Sequence, residues 1–200
     1  RTLGGRVRWI EVRCGVEQGG GADVTLIGGQ RAEDVKREVG NSVSYVYQQE
    51  RRGSGHAVMC AARHMAGMDA TLVVMCGDSP MFCPDTVRRL VWEHRESSAA
   101  VTLVASEPND PSGYGRILRS ASGRICGVAE EKCATGEQRA IREVNGGAYA
   151  FDAKWLFENI GAMRPNEAEE YNLTDMVRVA VEQGKTVSSV KCGPEELLGV

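Results

Sequence analysis

The residues best placed to do chemistry are Cys76, Gly77, Asp78, Ser79 and Pro80, which follow directly on the apolar run Thr71 to Met75. That run reads as a buried strand, so Asp78 stands at a strand's carboxyl end. In open α/β sheets ligands gather outside that end, and a carboxylate there can hold a hard cation such as Mg²⁺ against a phosphate. Gly77 would let the backbone approach whatever binds. The same five residues also read as a plain turn in which Asp78 caps the following helix. Both readings stay open on this motif alone.

A second candidate is Gln48 to His56, QQERRGSGH, with Gly53, Ser54 and Gly55 between a strand-like run and a helix-like one. Glycines allow a tight turn, and free amides at a helix start favour an anion or a base edge. Gln48 adds an amide that both donates and accepts, which suits a pyrimidine edge. By itself G-x-G is a weak signal that an ordinary strand-to-helix turn explains better, and His56 reads as a supporting residue rather than an acid or base. Further along stand Gly113-Tyr114-Gly115-Arg116-Ile117, Glu130-Glu131-Lys132, Glu143-Val144-Asn145-Gly146-Gly147 and Tyr171-Asn172-Leu173-Thr174-Asp175. Singly, these read as a hairpin turn, a charged strand end, a turn and a helix cap.

The elements that must position these groups alternate. Strand-like Val24 to Ile27, Val43 to Tyr47 and Thr71 to Met75 are each followed by a helical pattern, at Arg31 to Val39, Ala57 to Met65 and Asp85 to Glu96. Val101 to Ala105 continues the series. Such βα alternation predicts an α/β fold, a Rossmann-like, mostly parallel sheet flanked by helices. After Pro108 come shorter β segments, Gly115 to Leu118, Arg124 to Ala129 and Gly147 to Phe151, expected to form a small β cover over one sheet edge. Helices follow at Ala153 to Ile160, capped by Asp152, and Thr174 to Gln183, stopped by Gly184, before a last strand Val187 to Val190.

Composition narrows the function classes. A chain of 200 residues that is 42% hydrophobic suits one globular domain. No apolar run is long enough for a membrane span, and the first residues lack a signal-peptide pattern, so a cytoplasmic protein is expected. A net charge of −3, with cations spread among acids, argues against a nucleic-acid-binding face. Seven cysteines without a C-x-x-C pair read as reduced, mostly buried thiols, and with three scattered histidines they make a zinc site improbable.

Taken in order, the motifs Gln48…Gly53-Ser54-Gly55-His56-Ala57, Cys76-Gly77-Asp78-Ser79-Pro80, Gly113-Tyr114-Gly115-Arg116-Ile117, Glu130-Glu131-Lys132, Glu143-Val144-Asn145-Gly146-Gly147 and Leu173-Thr174-Asp175 are similar to one family. They resemble the uridylyltransferase domain of the bacterial bifunctional UDP-N-acetylglucosamine pyrophosphorylase and glucosamine-1-phosphate acetyltransferase, within the sugar-nucleotidyltransferase superfamily. The resemblance implies an enzyme that joins UTP to N-acetylglucosamine 1-phosphate and releases pyrophosphate, with Mg²⁺ as cofactor and no covalent protein intermediate. It implies that Gln48, Gly53 and Ser54 face the uracil, that Cys76, Gly77 and Asp78 line the nucleotide and metal site with Asp78 a direct Mg²⁺ ligand, and that Gly115, Glu130, Asn145 and Thr174 hold the amino sugar. Where the family usually has Thr, Ser54 keeps the hydroxyl; where it often has an aromatic residue, Cys76 stands instead.

Two departures from the pattern concern the ends. The resemblance implies a first strand and a glycine-rich loop with Arg and Lys before Arg1, and a metal-binding Asn after Gly199-Val200; neither is in these residues. Residues 1–200 are therefore read as one nucleotidyltransferase domain truncated at both ends, without the β-helix domain, acetyl transfer or the family's trimer. An unfilled position near the middle of the sheet, marginal stability and little turnover are expected. A thymidylyl- or cytidylyltransferase, or an inactive nucleotide-sugar-binding fragment, are the alternatives.

Overall fold

The computed structural model describes residues 10–14, 23–29, 32–65, 67–77 and 81–197; for 10–14 it describes the strand and its pairing. The expectations placed on Arg1 to Arg8, Asp78 to Pro80 and Leu198 to Val200 lie outside the described residues. Nine strands and six helices are described. The strands are β1 (Ile10–Cys14), β2 (Asp23–Gly28), β3 (Ser44–Tyr47), β4 (Thr71–Cys76), β5 (Val101–Ser106), β6 (Arg116–Arg119), β7 (Ile125–Ala129), β8 (Val144–Asp152) and β9 (Val187–Lys191). The helices are α1 (Ala32–Val39), α2 (Gly53–Met65), α3 (Pro84–Glu96), α4 (Gly136–Arg139), α5 (Ala153–Asn159) and α6 (Asp175–Glu182).

The sheet runs β3-β2-β1-β4-β8-β5-β9, with β6 and β7 as a hairpin hung from the start of β8. It is mixed rather than mostly parallel in its pairing. β2 pairs β3, and β5 pairs β9, in parallel, whereas β1 lies antiparallel to both β2 and β4, and β8 antiparallel to both β4 and β5. The strands of the βα alternation, β2, β3, β4 and β5, do share one direction, and β9 joins them in it. The alternation cannot reveal β1 and β8, which insert against that direction.

Two expectations change here. β1 fills the place between β2 and β4, so the sheet has no unfilled position there. And the segment from Gly147 to Phe151 is no cover: it belongs to β8, in the centre of the sheet, where Ala148, Tyr149, Ala150 and Phe151 are all buried. Only β6 and β7 form the expected cover. The Asn145-Gly146-Gly147 run lies within β8, not in a turn. Opposite β5 its register shifts between Leu103 and Ala105, a bulge that Gly147 accommodates with a φ of +80°.

The core has two layers. Residues of α2, α5 and α6, among them Val58, Ala61, Leu156, Met176 and Val177, pack on the sheet face carrying Leu72, Val74, Leu103, Tyr149 and Phe151. On the other face Leu90 and Val91 of α3, with Phe82 and Leu197, cover Val73, Val104, Ala148 and Ala150. None of the six described cysteines is in a disulfide, and none is fully buried: Cys60, Cys76 and Cys192 are half-buried, and Cys83, Cys126 and Cys133 are exposed. The expectation of mostly buried thiols fails because the last three occupy the start of α3, the outer face of β7 and the turn after it. No helix among the described residues is long and apolar enough to cross a membrane.

Candidate functional site

Gln48 leaves β3 at the carboxyl edge of the sheet, its backbone N–H bonded to the carbonyl of Gly28 at 2.8 Å. Its side-chain Nε2 donates to the carbonyl of Gly53 at 3.1 Å and meets Nδ1 of His56 at 3.0 Å. A carbonyl can only accept, which fixes the amide's orientation. Nδ1 of His56 is then an acceptor, and both Nε2 hydrogens are used. Oε1 is left as the atom of Gln48 that can meet a ligand, so Gln48 presents an acceptor.

The glycine turn proves tighter than its sequence suggests. α2 begins at Gly53, so Gly53-Ser54-Gly55 form the helix's first turn rather than a loop before it. Tyr171 donates its N–H to the carbonyl of Arg52 at 2.7 Å and accepts the N–H of Gly55 at 2.8 Å, while Ser54 Oγ accepts the N–H of Leu173 at 3.0 Å. The Gly55 amide and the Ser54 Oγ therefore hold the segment 171–174, and the Gly55 N–H is not a free donor awaiting an anion. The guanidinium of Arg52 lies 5.1 Å from the Tyr171 ring centre, and the His56 ring stacks on the same tyrosine with 6.4 Å between ring centres.

From Leu173 the network passes to the next pair. Thr174 is buried, and its hydroxyl donates to Glu130 Oε1 at 2.6 Å instead of capping α6. The helix-cap reading of Leu-Thr-Asp thus fails for the Thr174 side chain. Glu130 Oε2 lies 3.6 Å from where a Cβ on Gly115 would be, and the Gly115 carbonyl accepts the N–H of Asn145 at 2.8 Å. Asn145 Nδ2 donates to the hydroxyl of Tyr149 at 2.6 Å. Burial holds the Tyr149 phenol well above the ordinary tyrosine range, so it stays neutral and able to donate. A Cβ on Gly147 would lie 3.7 Å from Sγ of Cys76, which ends β4. Gly77 follows in a turn.

Arg116 braces this arrangement. Almost fully buried, its Nε donates to the Ile141 carbonyl at 3.1 Å and its Nη1 both bonds the Tyr114 carbonyl and pairs with Glu131 Oε2 at 2.5 Å. The turn that carries Glu130 is thereby fastened to the start of β6.

The described candidates Gln48, Gly53, Ser54, Thr174, Glu130, Gly115, Asn145 and Cys76 thus form one run of neighbouring contacts, with Gly77 at its end. They do not share one cavity. A cleft of about 410 Å³ is lined by Glu130 and Thr174 together with Asn172, Arg164, Arg178 and Cys133, while Gln48, Gly115 and Asn145 are not on its wall. Among the described residues no three His, Cys, Asp or Glu side chains are grouped to hold a metal. Asp78, the expected Mg²⁺ ligand, lies outside the described residues. Tyr149 and Arg116 escaped notice as site residues in the sequence; the spacing Asn145, Gly147, Tyr149 along one strand is the signal that could have found the first.

The family model described as nucleotidyl transferase matches residues 28–193, most of the chain and every described element from the end of β2 to β9. The chain belongs to the nucleotidyl transferase family. Its curated relatives include the bifunctional protein GlmU of Pelobacter propionicus, 37% identical over 90% of this chain and 40% of that protein. GlmU of Syntrophotalea carbinolica is 41% identical over 82% of this chain and 36% of that protein. This nucleotidyl transferase therefore spans about two fifths of the length of the curated relatives it matches. A solved chain from Bacillus anthracis, provisionally named a glucose-1-phosphate thymidylyltransferase, superposes with a TM-score of 0.67 over 84% of this chain and 67% of that one, at 21% identity. That likeness speaks for the fold.

Proposed function

We propose that this nucleotidyl transferase forms UDP-N-acetylglucosamine and pyrophosphate from UTP and N-acetylglucosamine 1-phosphate. The observation that carries the reading is the unbroken contact run from Gln48 through Ser54, Leu173, Thr174 and Glu130 to Gly115 and Asn145. A base-binding turn and a set of sugar-binding donors and acceptors would then share one scaffold. An oxygen of the sugar phosphate attacks the α-phosphorus, the bond from that phosphorus to the bridging oxygen breaks, and pyrophosphate leaves with the electron pair. No protein nucleophile is required, so the residues act by positioning.

Gln48 supports a uracil or thymine over cytosine. With both Nε2 hydrogens committed, its free Oε1 suits the N3–H donor of uracil and would face the unprotonated N3 of cytosine. Glu130 accepts sugar hydroxyl or amide hydrogens, Asn145 and the neutral Tyr149 phenol offer donors, and Gly115 lets the ring approach the backbone. Asp78, a hard oxygen donor two positions after β4 in the sequence, would hold Mg²⁺, which when bound supplies charge neutralisation on the phosphates. A cytoplasmic setting belongs to the same proposal.

Calorimetric titration with UDP-N-acetylglucosamine, UTP, dTTP and CTP tests it, alongside pyrophosphate release with N-acetylglucosamine 1-phosphate and Mg²⁺. Expected are binding of UDP-N-acetylglucosamine, UTP favoured over CTP, and at least a tenfold loss of uridine affinity in Gln48→Leu. A preference for dTTP would move the assignment to thymidylyl transfer. Preference for CTP, or no effect of Gln48→Leu, would overturn the reading of the base site. Binding without pyrophosphate release would leave a nucleotide-sugar-binding protein.

A further inference from the structure

The short helical turn Pro194–Leu197 contains a carboxylate with an unusual address. Glu196 is only 7% exposed, and its Oε2 accepts the backbone N–H of Cys83 at 2.8 Å while Oε1 accepts the hydroxyl of Thr86 at 3.0 Å. Cys83 is the N-cap of α3, has no capping side chain of its own, and is followed by Pro84. A residue more than a hundred positions away thus supplies what the start of α3 lacks. Arg89 donates to the same Thr86 hydroxyl at 3.2 Å and extends the network by one turn.

Leu197, the next residue, reaches the other way. Its carbonyl accepts the hydroxyl of Tyr114 at 3.0 Å, and its Cδ2 lies 3.0 Å from where a Cβ on Gly146 would be. Tyr114 precedes Gly115 and Gly146 follows Asn145, and Gly115 and Asn145 are themselves joined by the 2.8 Å bond between carbonyl and N–H. The turn touches both sequence neighbours of that pair, and Glu196 locks the turn to α3.

The geometry points to Glu196 as a positioning residue: by clamping residues 194–197 to the start of α3, it fixes Leu197 as the backstop for Gly115 and Asn145. The inference rests on the proposal that this pair meets the sugar. Glu196 touches no substrate in this arrangement. Its influence runs through Leu197 to Tyr114 and Gly146, so it should govern sugar affinity and leave the base site around Gln48 alone. The exposed Cys83 thiol offers an independent report, because the Glu196 charge is the foremost influence holding it above the ordinary cysteine range.

The test compares the wild type with Glu196→Ala and Glu196→Gln. Glutamine can accept from the Cys83 N–H with its oxygen and donate to the Thr86 hydroxyl with its nitrogen, so it should preserve the clamp without the charge. Peptide-resolved hydrogen exchange should quicken at least fivefold in 81–87, 113–117 and 144–147 in Glu196→Ala and match the wild type in Glu196→Gln. Alkylation of Cys83 at pH 8, followed by mass spectrometry, should accelerate severalfold in both variants. UDP-N-acetylglucosamine should bind at least tenfold more weakly to Glu196→Ala but within threefold of wild type to Glu196→Gln, with UTP affinity unchanged in both. Equal loss of UTP and UDP-N-acetylglucosamine affinity, loss in the glutamine variant as large as in alanine, or unchanged exchange at 113–117 and 144–147 would overturn the positioning role. If Glu196→Ala does not fold, Leu197→Ala should give the same selective loss of sugar-nucleotide affinity, and an equal loss for UTP would overturn the inference there. If the wild type binds neither ligand, the proposed function fails, while exchange and alkylation still decide whether the clamp holds those segments.

Discussion

A methyl group on Gly53 would sit 2.4 Å from the carbonyl oxygen of Tyr171, and its φ of +89° lies where L residues are strained. Gly53→Ala is therefore expected to cost about 3 kcal/mol in urea denaturation, from backbone strain and overpacking together. Gly40→Ala is the control: its φ is +79° but nothing lies within 4 Å, so strain alone should cost about 1 kcal/mol. Equal losses at the two positions would deny the close approach of segment 171–174. Thr174 poses a different case, since its buried hydroxyl meets Glu130 at 2.6 Å. Thr174→Val should lose about 2 kcal/mol by leaving the carboxylate without that donor, and Thr174→Ser should recover most of it. At this scale the sequence brought the candidate residues into view without the contacts that tie them together. Gly55 read as offering a free amide to a ligand, yet its N–H is taken by Tyr171, and Ser54 Oγ also accepts the N–H of Leu173. Nothing in the local spacing of residues 48–56 could announce a partner so far along the chain.

Between elements, α3 and β5 meet through a buried pair, His94 Nδ1 and Thr102 Oγ1 at 3.1 Å. Burial lowers the His94 imidazole to about 4 from its ordinary 6.5, against a smaller opposing pull from Asp152. The neutral ring is thus the form the fold prefers. Its contribution is complete above pH 6.5, declines as pH falls below that, and is gone near pH 4, amounting to on the order of 3 kcal/mol. Unfolding free energies measured from pH 7.5 to 4.5 should fall more steeply in the wild type than in His94→Leu, and parallel slopes would mean that His94 is not held neutral. Helix spans were legible because an amphipathic helix writes its period into consecutive residues: α3 was expected at Asp85 to Glu96 and lies at Pro84–Glu96. β8 was misread because Gly146 and Gly147 look like a turn locally, whereas in the sheet they serve a bulge.

For the molecule as a whole, β1 is the element on which sheet continuity turns. Val12 is paired on both sides, to Thr25 of β2 and to Val74 of β4. A proline there removes a ladder N–H from an interior strand, so Val12→Pro should destabilise the fold by about 3 kcal/mol or more and lower the thermal midpoint markedly. An unchanged melting curve would show that β1 does not complete the sheet. Continuity of the sheet also bears on the expectation of marginal stability, which rested on an unfilled position near the middle of the sheet, whereas β1 pairs with both β2 and β4. The sequence by itself determined the βα rhythm, the common direction of the four strands in it, and a set of ordered motifs specific enough to indicate the nucleotidyl transferase family. Those features are written in short-range periodicity and in residue identity. Tertiary structure alone decided that β1 and β8 run against the rest, that Ser54 meets Leu173 across 119 positions and Thr174 meets Glu130 across 44, and that Glu196 caps a helix 113 positions before it. Such contacts are selected by how the packed layers bring distant segments together, and no pattern within one segment records them.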